Sequence, residues 1–240
     1  VSAPVAFVTG AAGGIGRATV SALRARGLRI YATDIALAAI PCGQADFVAA
    51  SLDVTSETAV TEQVAAALAA FGRIDHVVHL AGRAGAGSLD ATTLADWHAI
   101  VDVNLTSAFL LARAAHAALR ESRGTLTLMA STNGLNGGTA LSGPAYAVAK
   151  AGIVNLTRYL AREWARDGIR VNCLAPGPIE TPMVTDRFDA ETIEALIRSV
   201  PLRRLGQPDD IAHAIDYLTS ARAGFVTGTV MNLSGGLVFD

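Results

Sequence analysis

The sequence predicts an α/β fold: one domain over residues 1–240, with a doubly wound parallel sheet of about seven strands and helices on both faces. Three observations carry this. Short apolar runs alternate with amphipathic stretches along the whole chain. The runs are continuously apolar, as in strands covered on both faces, not alternating as in half-exposed ones. The stretches between them are long enough for right-handed crossover helices. No internal repeat and no Ser/Gly/Pro linker divides the chain.

Val5 to Thr9 reads as the first buried strand. Ile15, Thr19, Ala22 and Leu23 then recur at helical spacing, with Arg17, Arg24 and Arg26 on the other side. Leu28 to Thr33 is a second strand and Asp46 to Ser51 a third. Val60, Val64, Leu68 and Phe71 mark a helix capped near Ser56, and Ile74 to Leu80 a fourth strand. Trp97 to Arg120 reads as one long helix, Thr125 to Ala130 as a strand and Tyr146 to Ala165 as another long helix. Ile169 to Ala175 is a strand. Pro176 to Leu205, rich in Pro and charge, breaks the rhythm and reads as a lid or substrate loop with a helix near Ala190 to Ser199. Pro208, with Asp209 and Asp210 in the first turn, opens a helix through Ile211, Ile215 and Leu218. Thr229 to Leu233 is a last short strand.

Composition excludes several classes. With 51% hydrophobic and 17% charged residues the chain is not intrinsically disordered. A formal net charge of −2 and no basic run give no general attraction for nucleic acid or an anionic membrane. The charge-free run from Gly124 to Ala149 is full of Ser, Thr, Asn and Gly and is no membrane span. Cys42 and Cys173 form no CxxC pair or disulfide framework; both read as buried small apolar residues, in keeping with a reducing compartment. No charged lead followed by an apolar signal segment precedes the first strand, so a cytoplasmic location is expected. The five histidines make no metal site; His76 and His79, an odd number apart on one strand, point to opposite faces. No GxSxG elbow offers a hydrolase nucleophile.

Two regions carry chemistry. Thr9-Gly10-Ala11-Ala12-Gly13-Gly14-Ile15-Gly16 runs from the first strand straight into a helix. Such a turn lets backbone approach a diphosphate, and the helix N-terminus offers free N–H groups. The spacing is GxxxGxG, and a tight loop with no ligand is the alternative. Asp34 ends the second strand, where a carboxylate can accept from the ribose hydroxyls of an adenosine and repels a 2′-phosphate. No Arg or Lys lies within the turn or just after Asp34, so NAD is favoured over NADP; an ordinary solvated Asp is the other reading.

Tyr146 and Lys150, at i and i+4 of a helix, share one face. A tyrosine of pKa ~10 shuttles protons poorly at neutral pH, and a fixed cation favours its anion. Alone, the pair also fits a chance surface arrangement. Ser131 follows a strand at the carboxyl end of the sheet, where open α/β folds bind ligands. Asn104 interrupts a helical segment; it marks either a local break that frees a carbonyl or a harmless exposed Asn.

In order and spacing, Thr9 to Gly16, Asp34, Asp53-Val54, Ala81-Gly82, Asn104, Ser131, Tyr146 with Lys150, Pro176-Gly177 and Gly235-Gly236 resemble the short-chain dehydrogenase/reductase family across essentially the full length. The resemblance implies a Rossmann fold. It implies that Gly10, Gly13, Gly14, Ile15 and Gly16 cradle the dinucleotide, that Asp53 and Val54 meet the adenine, that Ala81 and Gly82 line the site, and that Pro176, Gly177, Ile179 and Thr181 meet the nicotinamide end. Tyr146 would exchange a proton with the substrate oxygen. Lys150 would lower the tyrosine pKa and bind the nicotinamide ribose, Ser131 would polarise the carbonyl, and Asn104 would hold a relay water through its main chain.

Two departures stand out. Leu80 replaces the usual Asn before Ala81-Gly82, which puts local packing in doubt. Ser131 precedes Tyr146 by about two positions more than is common, the extra length lying in Asn136 to Ala145. Ser131 is chosen over Thr132 because it stands three before Gly134. The family also packs two long helices, here about 97–120 and 146–166, against a twin, so a dimer or tetramer is expected. The expected function is an NAD-dependent oxidoreductase acting on a secondary alcohol or ketone. A reductase resembling 3-oxoacyl-carrier-protein reductase, using NADP, is the alternative, and a non-catalytic dinucleotide sensor a third. The pocket should draw on Arg83 to Ser88, Asn133 to Ala145 and Pro182 to Phe188, and suits a small or medium, mostly neutral substrate.

Overall fold

A computed structural model describes residues 3–36 and 46–239. Cys42 therefore lies outside the described residues. Seven strands form one sheet in the order β3-β2-β1-β4-β5-β6-β7, every pair parallel. They are β1 (Val5–Thr9), β2 (Arg29–Asp34), β3 (Phe47–Ser51), β4 (His76–His79), β5 (Thr125–Met129), β6 (Arg170–Pro176) and β7 (Val230–Leu233). Strand order reverses between β1 and β4, which opens a crevice at their carboxyl ends. The predicted doubly wound sheet is the observed one.

Helices cover both faces. The principal ones are α1 (Gly14–Ala25), α2 (Glu57–Phe71), α3 (Leu94–Val101), α4 (Ser107–Ser122), α5 (Asn133–Asn136), α6 (Pro144–Trp164), α7 (Pro182–Thr185), α8 (Ala190–Ser199) and α9 (Pro208–Thr219). Within β1, Val5 and Phe7 pack into the layer with Val60, Leu111 and Ile153 of α2, α4 and α6. Ala6 and Val8 pack into the other, with Leu23 of α1 and Ile211 of α9. The period-two alternation of side chains thus feeds two cores from one apolar run.

Local signals place the ends. Ser56 caps α2, its hydroxyl accepting from Ala59 N at 3.3 Å. Pro208 opens α9 with a reciprocal Gln207–Asp210 capping box. Pro144 begins α6 two residues ahead of the expected Tyr146, since a proline at the first helical turn loses no hydrogen bond.

The expected single helix from Trp97 to Arg120 is corrected. It is α3, then a π-helical turn (Asp102–Thr106), then α4. The Asn104 side chain donates from Nδ2 to the carbonyls of Ile100 and Arg83, both at 2.8 Å. The side-chain amide thereby competes for the Ile100 carbonyl that a regular helix would give the backbone, and the turn widens. The fourth strand, His76–His79, is also shorter than the expected Ile74 to Leu80; just ahead of it the Asp75 carboxylate accepts from Val5 N and Arg73.

Candidate active site

The carboxyl ends of the strands face a cleft of 880 Å³. Its floor is the turn between β1 and α1. Gly10 has φ +66°, and a Cβ there would lie 2.7 Å from Ala81 N. A Cβ on Gly16 would lie 2.0 Å from the Gly10 carbonyl, so both positions exclude a side chain outright. Asp34 braces the turn: its Oδ2 accepts from Ala12 N and its Oδ1 from Ala36 N, each at 3.0 Å. Asp53, Val54, Ala81, Gly82 and Thr181 line the same cleft, as do Gly13, Gly14 and Ile15. Thr181 comes so close to Gly14 that a Cβ there would meet its Cγ2 at 2.8 Å.

Pro176, Gly177 and Ile179 do not line this cleft. The Pro176 carbonyl accepts from Thr132 N and Thr132 Oγ1, and Gly177 and Ile179 line a separate hollow of 510 Å³ with Val200 and Gly235. Of the four residues expected at the nicotinamide end, Thr181 alone reaches the cleft among those that line it.

The four chemical residues converge behind Gly82 and Met129, both on the cleft wall. The Lys150 Nζ donates to the Met129 carbonyl at 2.7 Å and stands 5.4 Å from the Tyr146 ring centroid. A Cβ on Gly82 would meet Asn104 Oδ1 at 2.7 Å and Lys150 Nζ at 3.4 Å. Asn104 Oδ1 is buried and has no partner among the described residues. Ser131 shares a side-chain hydrogen bond with Tyr146 and accepts from Asn133 N at 3.2 Å. Thr132 is committed to β6, which separates it from that role.

Burial dominates the electrostatics. It pushes the Tyr146 phenol above its ordinary value, while the Ser131 hydrogen bond and the Arg187 guanidinium pull it back. Burial lowers the Lys150 ammonium to about 8. The resemblance implies that Lys150 lowers the phenol; here the ammonium lies over the ring face and is held by Met129, and Ser131 and Arg187 also oppose the effect of burial.

Both departures have a structural answer. In place of the usual Asn, Thr9 Oγ1 accepts from Leu80 N at 3.2 Å and Ala81 N at 3.3 Å. It donates to His79 Nδ1 at 2.8 Å, and His79 Nε2 donates to Ser107 Oγ at 2.9 Å. Ser107 passes its own proton to the Val103 carbonyl, which fixes the tautomer. His79 is fully buried and held neutral, its pKa lowered to about 3 by burial and by Lys150. It joins the glycine turn to the π turn, a link that a strand histidine alone does not announce. The longer loop before Tyr146 folds back through Gly137, Gly138 and Gly143, all at positive φ.

Among the described residues, no three His, Cys, Asp or Glu side chains converge as metal ligands, and no helix is long and apolar enough to cross a membrane. Cys173 is buried, its thiol pushed up to about 11 by burial.

A family model described as Enoyl-(Acyl carrier protein) reductase matches residues 10–238. The chain belongs to the short-chain dehydrogenase/reductase family. This dehydrogenase/reductase is 37% identical over 240 residues to the (2S)-[(R)-hydroxy(phenyl)methyl]succinyl-CoA dehydrogenase subunit BbsD of Thauera aromatica, covering 97% of this chain and 95% of that one. It is 35% identical over 248 residues to a 3-oxoacyl-[acyl-carrier-protein] reductase of Synechocystis sp., covering 99% and 98%. The crystal structure of the short-chain dehydrogenase/reductase SDR:Glucose/ribitol dehydrogenase from Brucella melitensis superposes with a TM-score of 0.92, at 32% identity, over 99% of this chain and 97% of that one. The dehydrogenase/reductase is an oxidoreductase, and its family uses a nicotinamide dinucleotide. The residues fit such a group: Gly10 and Gly16 keep the floor free of side chains, and Asn104 Oδ1 stands ready for a polar partner.

Proposed function

We propose that this dehydrogenase/reductase uses NAD to interconvert a secondary alcohol and its ketone, with Asn104, Ser131, Tyr146 and Lys150 as its chemical residues. The observation that carries the reading is the meeting of Ser131, Tyr146 and Lys150 behind Gly82 and Met129, on the wall of a cleft that Asp34 also lines. When bound, the nicotinamide supplies or takes up the hydride.

Ser131 donates to the substrate oxygen and places it beside the Tyr146 hydroxyl. In the oxidative direction the alcohol proton passes to the tyrosinate; in the reductive direction the phenol returns it to the oxygen. Lys150 holds the ribose next to the nicotinamide, and its depressed pKa makes it a ready proton partner in the relay. Asn104, on the π turn, leaves main-chain carbonyl capacity for a relay water. Gly10, Gly13, Gly14, Ile15 and Gly16 take the diphosphate, Asp53 and Val54 the adenine, and Ala81, Gly82 and Thr181 the middle of the dinucleotide. Pro176, Gly177 and Ile179 support the nicotinamide end from behind. Residues 176–205 act as the substrate lid of a one-domain protein.

Asp34 supports NAD over NADP. A 2′-phosphate there would meet a carboxylate already engaged with Ala12 N and Ala36 N, with no cation in the turn to offset it. The second reading, a 3-oxoacyl thioester reductase using NADP, is favoured by relatives such as the Synechocystis reductase and an acetoacetyl-CoA reductase of Shinella zoogloeoides, 35% identical. Exposed Phe109 and Tyr159 on α4 and α6 support a dimer or tetramer built through those helices. Turnover measured with each cofactor, against secondary alcohols, diols, sugars and 3-oxoacyl thioesters, tests the reading. A tenfold preference for NAD with an alcohol or ketone upholds it; a preference for NADP defeats it.

A further inference from the structure

Three separate segments meet at Arg187, whose charge also acts on Tyr146. The first, residues 83–88, follows β4. The second, residues 137–143, leads into α6. They are zipped together: Gly87 N donates to the Ala140 carbonyl at 2.9 Å. A Cβ on Gly85 would stand 2.9 Å from the Ser142 carbonyl, and one on Gly143 2.9 Å from Ala86 N, so the backbones touch with no room for side chains.

The third segment is the lid. Its Arg187 guanidinium donates to the carbonyl of Gly85 and, at 2.6 Å, to that of Leu141. One nitrogen, Nη2, makes both bonds and so joins all three segments. Arg187 also lies over the Phe188 ring, 5.1 Å from its centroid, which holds the guanidinium in its plane. It is an exposed residue with no carboxylate partner among the described residues; both bonds it makes go to main chain.

We propose that Arg187 is a positioning residue, a clasp that fixes the lid against the 83–88 and 137–143 segments and so sets the shape of the substrate mouth above Tyr146. This rests on the reaction proposed above for Tyr146. The same cation is close enough to favour the ionised phenol. A lysine keeps the charge but loses the planar contact with the Phe188 ring, so it replaces Arg187 only in part.

The test uses Arg187→Gln and Arg187→Lys in the full chain. Amide hydrogen exchange is followed in residues 83–88 and 137–143, and steady-state rates are measured with the ketone the parent reduces best. With Arg187→Gln, protection in both segments should fall at least fivefold. KM for the ketone should rise tenfold or more, with a smaller fall in kcat, and Arg187→Lys should lie between. Unchanged protection in either segment, or kcat/KM within twofold of the parent, overturns the proposal. If the parent turns over no alcohol or ketone, the proposed reaction fails, and the exchange result alone decides the clasp.

Discussion

Lys150 and Tyr146, one turn apart on α6, stand with the ammonium 5.4 Å from the centre of the phenol ring, while the same ammonium donates to Met129 on β5. The helix face and the end of a central strand are thereby joined at the point where the sheet opens. That placement makes the pair a testable unit.

Tyr146→Phe removes only the hydroxyl. Turnover should fall about 10³-fold or more, the scale of a lost proton donor, with NADH affinity within threefold of the parent. Fluorescence titration and initial rates measure the two. Unchanged turnover would remove Tyr146 from the chemistry.

Gly82→Ala puts a methyl group 2.7 Å from Asn104 Oδ1 and 3.4 Å from Lys150 Nζ. Asn104 is buried and tied to two carbonyls, so it yields at a cost of about 1–3 kcal/mol. Turnover should drop more than tenfold, and urea unfolding should show the loss of stability. A variant as active and stable as the parent would show that this contact is easily relaxed.

Asp34→Ser combined with Ile35→Arg replaces a carboxylate by a hydroxyl and adds a cation at an exposed position, 75% accessible in the parent. Removing the repulsion and adding a charge-assisted partner for the 2′-phosphate should raise the NADP-to-NAD ratio of kcat/KM by about a hundredfold, or roughly 2.7 kcal/mol. A ratio that stays put would mean that the adenosine end is read elsewhere.

Two histidines make stability depend on pH. Burial lowers His79 to about 3 and His76 to about 4; at His76, Arg26 and Arg170 add to the effect while Asp75 opposes it. The unfolded chain takes up these protons near pH 6.5, the folded one only near 4 and 3. Stability is therefore complete above about pH 6.5 and declines as pH falls through that window. For fully buried His79 the slope approaches about 1.4 kcal/mol per pH unit down to about pH 3. Chemical denaturation from pH 7.5 to 4.5 should show the decline, and His79→Asn should flatten it. A parent curve flat to pH 4.5 would contradict neutral burial.

Much of this was legible from residue order. The β1 run, the Ser56 cap, the Pro208 start and the Ala190–Ser199 helix each carry a local signal that packing does not override. The glycine turn was legible because only glycine permits the contact between Gly16 and the Gly10 carbonyl. Asn104 betrayed an irregular helix, although not that the irregularity is a π turn; its partner carbonyl on Arg83 comes from a distant loop. In the sequence, Arg187 is only one residue of the Pro182 to Phe188 segment expected at the pocket. Its meaning depends on two main-chain oxygens 46 and 102 residues away, which no local pattern encodes. The order of influences on Tyr146 was likewise hidden, because desolvation is a property of the assembled site.

Helix α8 buries none of its residues, whereas Val200 and Leu205 just beyond it anchor in the interior. The chain between Pro182 and Ser199 is thus lightly buried, held at its far end by Val200 and Leu205 and along its length by Arg187. Under the lid role proposed for it, drift or deliberate grafting there would retune which molecules are admitted while the sheet keeps its architecture, leaving substrate choice and fold integrity to evolve on separate clocks.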